Sequence, residues 1–247
     1  MRHIRLFFVP IVLLLSCAKP QDQNEVNNLI PEVKPILPET ILNAAFLIVD
    51  GVYNSELVAP MDILHHTVFH TEKGMKVFTV APNRDTITTF EGLQILPDYS
   101  FLTDSLPKID ILVVPSAEHS MDTDLENEAL IGFVKSIGQE AKYVMSLCDG
   151  AFVLAKAGLI DGRESTTFPS DIDRYRQTFP HLTVHEGVSF VHDGKLITSV
   201  GGAKSYDPAL YLSELLYGRK AAEGLGRGLV IDWKLSDVKF IKTQPLD

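Results

Sequence analysis

Apolar runs alternate with segments of helical spacing along most of the chain. Four runs are short and continuous, as is typical of strands buried on both faces of a parallel sheet; they are AAFLIVD, MKVFTVAP, IDILVVP and AKYVMSL, beginning at residues 44, 75, 109 and 141. Helical spacing marks the segments ELVAPMDILHHTVFH, DLENEALIGFVKSIG, GAFVLAKAGL, SDIDRYRQTF and DPALYLSELLYG. This alternation predicts an α/β fold, a three-layer αβα sandwich with a mostly parallel central sheet.

Two other segments predict antiparallel hairpins. TITTFEGLQILPD alternates around Glu91-Gly92, and SFVHDGKLITSV turns at Asp193-Gly194. Residues 219–247 are predicted to form a short helix followed by a tail over the surface.

The predicted sheet also indicates where a ligand site lies. In such sheets the ligand crevice lies beyond the carboxyl ends of the strands. Four segments occupy those ends, at residues 51–56, 116–121, 147–150 and 201–205. We therefore expect the site to be built from these four loops.

The first residues predict a signal peptide rather than part of the fold. They comprise the basic leader MRHIR, the apolar stretch LFFVPIVLLL and the tetrapeptide LLSC. The apolar stretch is too short to cross about 30 Å of hydrocarbon as a helix. LLSC resembles a bacterial lipobox, which implies cleavage before Cys17 and lipidation of that residue. A plain secretory signal with an incidental cysteine is the alternative.

The lipobox interpretation divides the chain and places it in the cell. Residues 1–16 become a lipoprotein signal peptide, and residues 17–42 the lipidated cysteine with a proline-rich, flexible tether. The domain is then expected in the cell envelope, outside the cytoplasm, attached to a bacterial membrane through its lipid. The net charge of −10, with no basic patch, argues against a nucleic-acid partner.

Cys148 is the main candidate for chemistry. The chain has two cysteines, and if Cys17 carries lipid then Cys148 has no disulfide partner. SLCDGA joins a predicted strand to a predicted helix, which is the arrangement of a nucleophile elbow. The helix dipole would favour the Cys148 thiolate, and Gly150 would allow close helix packing. A buried, inert cysteine is equally compatible with the spacing alone.

The stretch SLCDGAFVLAKAGLIDGRESTTFP resembles the nucleophile region of the ThiJ/PfpI superfamily, which is related to class I glutamine amidotransferases. The matching features are Cys148 and Gly150 in Cys-x-Gly, the segment AGLIDG, and the pair Thr166-Thr167. The resemblance implies a flavodoxin-like αβα fold and a nucleophilic Cys148. It also implies a small-molecule substrate or ligand, no cofactor, and a homodimer as one state of the protein.

Further motifs extend the resemblance over about residues 44–218, so the domain is placed at 43–218. GVYNSELVAPMDIL resembles the family's first loop and helix, with Glu56 at its acidic position, and GKLITSVGG resembles its late hairpin. This implies that a protonated Glu56 donates a hydrogen bond that favours the Cys148 thiolate. The residues alone would leave Glu56 as a solvated loop acid or a charge at a helix N-terminus.

Two departures from the family pattern affect the expected chemistry. Many relatives carry a histidine where this chain has Phe168, so no Cys-His dyad forms there. In isonitrile-hydratase-like members a threonine of this region is implicated instead, so Thr166 or Thr167 is expected to face the site. Ser116-Ala117 replaces the usual Gly-Gly, in a loop whose backbone N–H groups would stabilise an anion.

Histidines offer weaker candidates. His119 lies in the same strand-end loop and could act as the base for Cys148, although an exposed loop histidine is the alternative. His66 and His70 share a helix face at i, i+4 spacing, but no further ligand pattern surrounds them. The sequence therefore predicts no metal.

Two functions remain. The first is a cysteine enzyme acting on a small electrophile, such as an isonitrile-hydratase-like hydration or hydrolysis, with backbone N–H groups near Asp149 and Ser116 holding the anion. Phe168 would narrow the crevice, which argues against a peptidase. The alternative is a non-catalytic thiol redox sensor or small-molecule binding module. The family's DNA-binding regulators are set aside, because the segment after Gly218 is too short for a helix-turn-helix.

Overall fold

The computed structural model describes residues 34–243. In chain order the helices and strands are β1 (Asn43–Leu47), α1 (Asn54–His66), β2 (Lys76–Ala81), β3 (Ile87–Thr88), β4 (Gln94–Ile95), β5 (Tyr99–Ser100), β6 (Ile111–Val114), α2 (Glu128–Glu140), β7 (Tyr143–Leu147), α3 (Gly150–Lys156), β8 (Glu164–Ser165), α4 (Ile172–Thr178), β9 (Thr183–Val184), β10 (Phe190–Asp193), β11 (Leu196–Ser199), α5 (Tyr206–Tyr217), α6 (Arg219–Gly228) and β12 (Phe240–Lys242).

An eight-stranded sheet forms the middle layer, in the order β12-β10-β11-β7-β6-β1-β2-β5. Every neighbouring pair in this sheet is parallel except β10 and β11. Helices α1, α5 and α6 pack on one face and α2, α3 and α4 on the other. The predicted αβα sandwich with a mostly parallel sheet is therefore confirmed.

The sheet is buried on both faces, as the continuous apolar runs predict. Along β1, Ala44 and Phe46 belong to the core under α1 and α5, whereas Ala45 and Leu47 belong to the core under α2 and α3. Because successive side chains of a strand point to opposite faces, each of these strands needs apolar residues at every position.

Both predicted hairpins are present, with different roles. Strands β3 and β4 form a separate antiparallel pair, while β10 and β11 are joined at Asp193-Gly194 and extend the central sheet. The first hairpin lies over the carboxyl end of β1, where Gly51 N–H donates to Thr88 O at 2.8 Å. It therefore borders the loops in which the site is expected.

The predicted signal peptide and Cys17 lie outside the described residues. Residues 34–42, which the sequence assigns to the tether, lie against α5. The N–H groups of Ile36 and Leu37 donate to the carbonyls of Leu215 and Leu216 at 3.0 and 2.9 Å. This part of the segment is thus hydrogen-bonded to the domain.

The segment after Gly218 contains the expected helix, α6. The residues after this helix were expected to form a tail over the surface, but they include a strand. Strand β12 pairs in parallel with β10 and becomes one edge of the central sheet. The Trp233 indole donates to the buried Glu214 carboxylate at 2.7 Å, which fixes the connecting segment to α5. Within residues 34–243, no helix is long and apolar enough to cross a membrane.

Candidate functional site

Cys148 lies at a sharp turn between β7 and α3. Its φ is 54°, in the left-handed region that non-glycine residues seldom adopt. Its backbone N–H donates to Ser199 O of β11 at 2.9 Å, which secures the strained turn to the sheet. The predicted strand-turn-helix elbow is therefore present, and strain of this kind is concentrated at functional sites.

Two glycines make this turn possible. A Cβ on Gly150 would lie 2.1 Å from Val114 O, so only glycine allows α3 to approach β6 this closely. A Cβ on Gly201 would lie 2.5 Å from the Cβ of Cys148. Gly150 has the packing role expected for it, and Gly201 adds a second close approach to the cysteine.

The strand-end loops meet around Cys148 as predicted. Gly202 N–H donates to Glu56 Oε1 at 2.8 Å, joining the last loop to the first. Tyr53 N–H donates to Ser116 O at 3.0 Å, and Val52 forms an isolated bridge with Ala117, joining the first loop to the second. The backbone thus brings together loops that are far apart in sequence.

Asp149 has the most direct contact with the thiol. Cys148 Sγ donates to Asp149 Oδ2 at 3.6 Å, and Thr167 Oγ1 lies 2.9 Å from Oδ1 of the same carboxyl group. Burial, and after it the nearby charge of Asp171, raises the pKa of Asp149 to about 6. This carboxyl group therefore titrates close to neutral pH.

The Cys148 thiol is only 6% exposed, and its ionisation is opposed by its surroundings. Burial raises its pKa strongly, and the negative charges of Asp149 and Glu56 raise it further. The Asp149 backbone N–H and the Ser116 hydroxyl lower the pKa, but by less. Burial and the two carboxylates thus oppose the thiolate that the dipole of the seven-residue helix α3 is expected to favour.

Glu56 lies near the thiol without bonding to it. Its side chain is buried, Oε1 accepts from Gly202 N–H, and Oε2 accepts from Ser55 Oγ, each at 2.8 Å. Among the hydrogen bonds of residues 34–243, none joins Glu56 to Cys148. The structure therefore does not contain the hydrogen bond expected from Glu56 to the thiol, and Glu56 instead anchors the loop at Gly202.

Ser116 contributes its side chain as well as its backbone. The hydroxyl is fully buried and has no hydrogen-bond partner among the described atoms. The Ser116 hydroxyl nevertheless lies close enough to Cys148 to lower the pKa of the thiol. It is therefore available to donate a hydrogen bond to an anion at this position.

The two threonines have different surroundings. Thr167 Oγ1 reaches Asp149 and also lies 3.1 Å from Cys148 O. Thr166 Oγ1 instead donates to His185 O at 2.8 Å, and the Thr166 N–H donates to Thr198 Oγ1. Of the pair, Thr167 therefore belongs to the site, while Thr166 connects β8 to its neighbours.

His119 does not replace the missing histidine. Its side chain is 53% exposed and pairs with Asp122 at 3.3 Å within its own turn. It is absent from the groups that shift the pKa of Cys148. His119 is thus the exposed loop histidine of the alternative interpretation. Residues 34–243 also contain no group of three or more His, Cys, Asp or Glu side chains suited to holding a metal.

Tyr53 is a site residue that the sequence analysis missed. Burial raises the pKa of its hydroxyl, and the charges of Cys148, Glu118, Asp149 and Glu56 raise it further. The Tyr53 ring packs on Phe90 of the β3–β4 hairpin, with centroids 4.7 Å apart. Its place in a predicted strand-end loop was the available signal, but nothing in the sequence distinguished it from its neighbours.

Known proteins are similar to this chain in fold and in part of the sequence. Residues 43–215 match the model of the DJ-1/PfpI family. An isonitrile hydratase from Pseudomonas putida is 30% identical over 182 residues, which cover 74% of this chain and 75% of that protein. The crystal structure of Drosophila melanogaster DJ-1beta has a TM-score of 0.67 at 24% identity and covers 78% of this chain and 99% of that one.

Transcriptional regulators share a smaller part of the chain. The HTH-type transcriptional regulator CdhR from Pseudomonas aeruginosa is 32% identical over 103 residues, which are 42% of this chain and 30% of that protein. The match to the family model covers most of the chain and contains every loop of the site. The chain belongs to the DJ-1/PfpI family.

Proposed function

We propose that this protein is a cysteine enzyme that hydrates small, uncharged electrophiles, with isonitriles as the substrate class. The observation that carries the proposal is the Cys148 thiol, held on a strained elbow against the buried carboxyl groups of Asp149 and Glu56. The similar isonitrile hydratase is the source of the reaction class. The product would be an N-substituted formamide.

The first step of the proposed reaction joins substrate to sulfur. The Cys148 S–H bond breaks, its proton passes to a neighbouring carboxylate, and sulfur bonds to the terminal carbon of the isonitrile. That carbon then takes the proton back, which gives a thioimidate. The Ser116 hydroxyl and the Asp149 backbone N–H, which both favour negative charge at this position, would stabilise the charge that develops.

The second step releases the formamide. Water adds its oxygen to the thioimidate carbon, and one of its protons moves to nitrogen through the Glu56 carboxyl group. The other proton goes to sulfur as the carbon–sulfur bond breaks, which restores the Cys148 thiol. Glu56 therefore acts in this proposal on water and nitrogen rather than on the thiol.

The environment of the thiol favours small substrates. Cys148 and Asp149 are both only 6% exposed, so a polypeptide backbone could not reach Sγ without a large rearrangement. Phe168, an apolar residue, follows Thr167 in the sequence, and the Tyr53 ring packs on Phe90. The burial of the thiol and the apolar residues near it in sequence support a small uncharged substrate and argue against a peptidase.

A thiol redox sensor is the weaker candidate. Peroxide reacts with thiolates, and burial together with two carboxylates raises the pKa of Cys148. The same thiol can still serve an enzyme if a neighbouring base removes its proton during attack. The raised pKa therefore counts against the sensor.

The cellular location is also part of the proposal. We propose that Cys17 carries lipid and that the domain lies in the cell envelope of a bacterium, attached to a membrane. The support is the lipobox-like LLSC after a short apolar stretch.

Hydration of benzyl isonitrile by the full chain tests the enzymatic proposal. Formation of N-benzylformamide, followed by liquid chromatography, should fall at least ~10³-fold in Cys148→Ala, while circular dichroism stays unchanged. Cys17→Ser is the matched control and should keep the rate. A wild-type protein that forms no formamide above the uncatalysed rate, or a rate unaffected by Cys148→Ala, would overturn the proposal.

A further inference from the structure

A cavity lies at the edge of the sheet opposite Cys148. Its volume is about 380 Å³, and its lining includes Leu42, which precedes β1, Tyr143, which begins β7, and Lys195, which precedes β11. Because β1, β7 and β11 run in the same direction, these residues lie at the amino ends of the strands, whereas Cys148 follows the carboxyl end of β7. Cavities of this size commonly hold small molecules.

The wall of this cavity is mostly apolar. Ile36 and Leu42 come from the segment before β1, and Leu216 comes from the end of α5. The Ile36 N–H donates to Leu215 O at 3.0 Å, which holds the segment against α5. Such a wall suits a ligand with an apolar body.

The Tyr143 hydroxyl is a polar group in this wall that lacks a partner. Tyr143 is only 8% exposed, and no hydrogen bond within residues 34–243 involves its hydroxyl. Burial raises the pKa of this hydroxyl, so it is neutral and able to donate at neutral pH. A buried donor without a partner costs free energy, which the polar group of a ligand would recover.

A chain of hydrogen bonds fixes the edge of the cavity at Gly194. Burial lowers the pKa of His192 to about 4, so its ring is neutral at neutral pH. Since Gly194 O can only accept, His192 Nε2 carries the proton and donates to it at 2.8 Å, while the Tyr211 hydroxyl donates to Nδ1 at 2.7 Å. The edge is therefore held in place before a ligand arrives.

Two lysines, Lys142 and Lys195, also line the cavity. Lys195 Nζ donates to two carbonyls at the carboxyl end of α2, at 2.7 and 3.2 Å, and an ammonium group has three such donors. The Lys142 side chain is 49% exposed and lies 3.3 Å from Asp110, which also pairs with Lys108 at 3.2 Å. Lys142 can therefore turn towards a ligand while Asp110 keeps a partner.

We propose that this cavity binds a small amphipathic carboxylate, such as a short fatty acid or an aromatic acid. The apolar body would lie against Leu42 and Leu216, and the carboxylate would accept hydrogen bonds from Lys142 and the Tyr143 hydroxyl. No step of the proposed hydration uses this cavity, so the inference stands apart from the proposed function.

Isothermal titration calorimetry with octanoate tests the proposal. The protein is the full chain carrying Cys17→Ser, and octylammonium is the control ligand, because it has the same apolar chain and the opposite charge. Octanoate should bind at least ~10-fold more tightly than octylammonium. Since the chain has a net charge of −10, non-specific binding would favour the cation instead. No binding of octanoate, or binding no tighter than that of octylammonium, would overturn the inference.

Lys142→Met and Lys108→Met form a matched pair of variants. Each removes one partner of Asp110 and keeps the other, but of the two lysines only Lys142 lines the cavity. Lys142→Met should weaken octanoate binding about 3- to 10-fold, whereas Lys108→Met should leave it unchanged. Equal affinities in the two variants would contradict the role of Lys142.

Tyr143→Phe tests the unpartnered hydroxyl. It should weaken octanoate binding about 3- to 10-fold without lowering the midpoint of thermal unfolding, because no internal hydrogen bond is lost. Unchanged affinity would contradict the role of this hydroxyl. Alkylation of Cys148 by iodoacetamide then locates the ligand. Saturating octanoate should leave the alkylation rate unchanged, whereas protection of Cys148 would place octanoate at the other edge of the sheet and overturn the inference.

Discussion

Gly202 N–H donates a 2.8 Å hydrogen bond to Glu56 Oε1, across a separation of 146 residues along the chain. Gly201, the residue before it, lies against Cys148 so closely that a Cβ there would be 2.5 Å from the cysteine Cβ. The buried carboxylate of Glu56 therefore fixes the loop that confines the thiol.

Two replacements of Glu56 should distinguish the effect of its hydrogen bond to Gly202 from the effect of its negative charge. Glu56→Ala leaves the Gly202 N–H without its partner and should lower the free energy of unfolding by about 1–3 kcal/mol. Glu56→Gln keeps a carbonyl oxygen at the same place and should lose less than half as much. Urea denaturation measures both, and equal losses in the two variants would show that the hydrogen bond to Gly202 does not stabilise the fold.

Ser116→Ala should weaken the site without weakening the fold. The variant loses the hydroxyl that lowers the pKa of Cys148, so iodoacetamide alkylation should slow about 10-fold. Its free energy of unfolding should stay equal or rise by up to about 1 kcal/mol, since a buried hydroxyl without a partner is removed. Ser213→Ala removes another buried, unpartnered hydroxyl, in α5, and should leave alkylation unchanged. Similar alkylation rates in the two variants would contradict the role of Ser116.

Asp149 should reduce stability at neutral and alkaline pH. The pKa of Asp149 is about 6 in the folded protein, against 3.8 for the free group. Below pH 3.8 the group is protonated in both the folded and the unfolded state and does not destabilise the fold. As the pH rises through 6, the folded protein must hold the buried charge, and stability is lost. Asp149→Asn should therefore raise the free energy of unfolding by about 2–3 kcal/mol at pH 8. The gain should disappear near pH 4. Denaturation at both pH values provides the measurement, and a gain of equal size at both would mean that ionisation of Asp149 is not its source.

Gly201→Ala should disturb the elbow more than Gly202→Ala. Both glycines have positive φ, 75° and 56°, so alanine at either position costs about 1 kcal/mol of backbone strain. Only at Gly201 would the new Cβ also meet Cys148, while nothing lies within 4 Å at Gly202. Alkylation of Cys148 and urea denaturation should both change more for Gly201→Ala, and indistinguishable variants would argue against this close contact.

Cys17→Ser should release the protein from membranes. In a bacterial host that processes lipoproteins, the wild-type chain should sediment with membranes and gain mass from its lipid, whereas Cys17→Ser should not. Cys148→Ser is the control and should sediment like wild type. Membrane sedimentation that is unaffected by Cys17→Ser would exclude lipid at this residue.

The sequence predicted the fold well because its signals are local. The apolar run of β1 and the alternation around Asp193-Gly194 each depend on neighbouring residues, and both elements formed as expected. Strand β12 was missed because its three residues, Phe240–Lys242, are half-exposed or exposed and carry little pattern of their own. They become a strand only because β10 offers an unpaired edge.

The sequence predicted where the candidate site lies better than it predicted the chemical roles of the residues in it. The elbow at Cys148 and the approach of the loop at Glu56 follow from strand ends and from the family motif. The Asp149 side chain received no role of its own from the sequence, because its contacts with Sγ and Thr167 depend on the fold. Tyr53 was missed for the same reason.

By itself, the sequence determined the αβα architecture, the place of Cys148 on its turn, and the family of the chain. The tertiary structure decided the surroundings of that cysteine. The dipole of a helix can be anticipated from local pattern, but the burial of Sγ and its nearness to Asp149 and Glu56 arise only when the loops converge. Desolvation and charge repulsion in that setting oppose the thiolate that the dipole favours, and the fold places the sulfur against an aspartate.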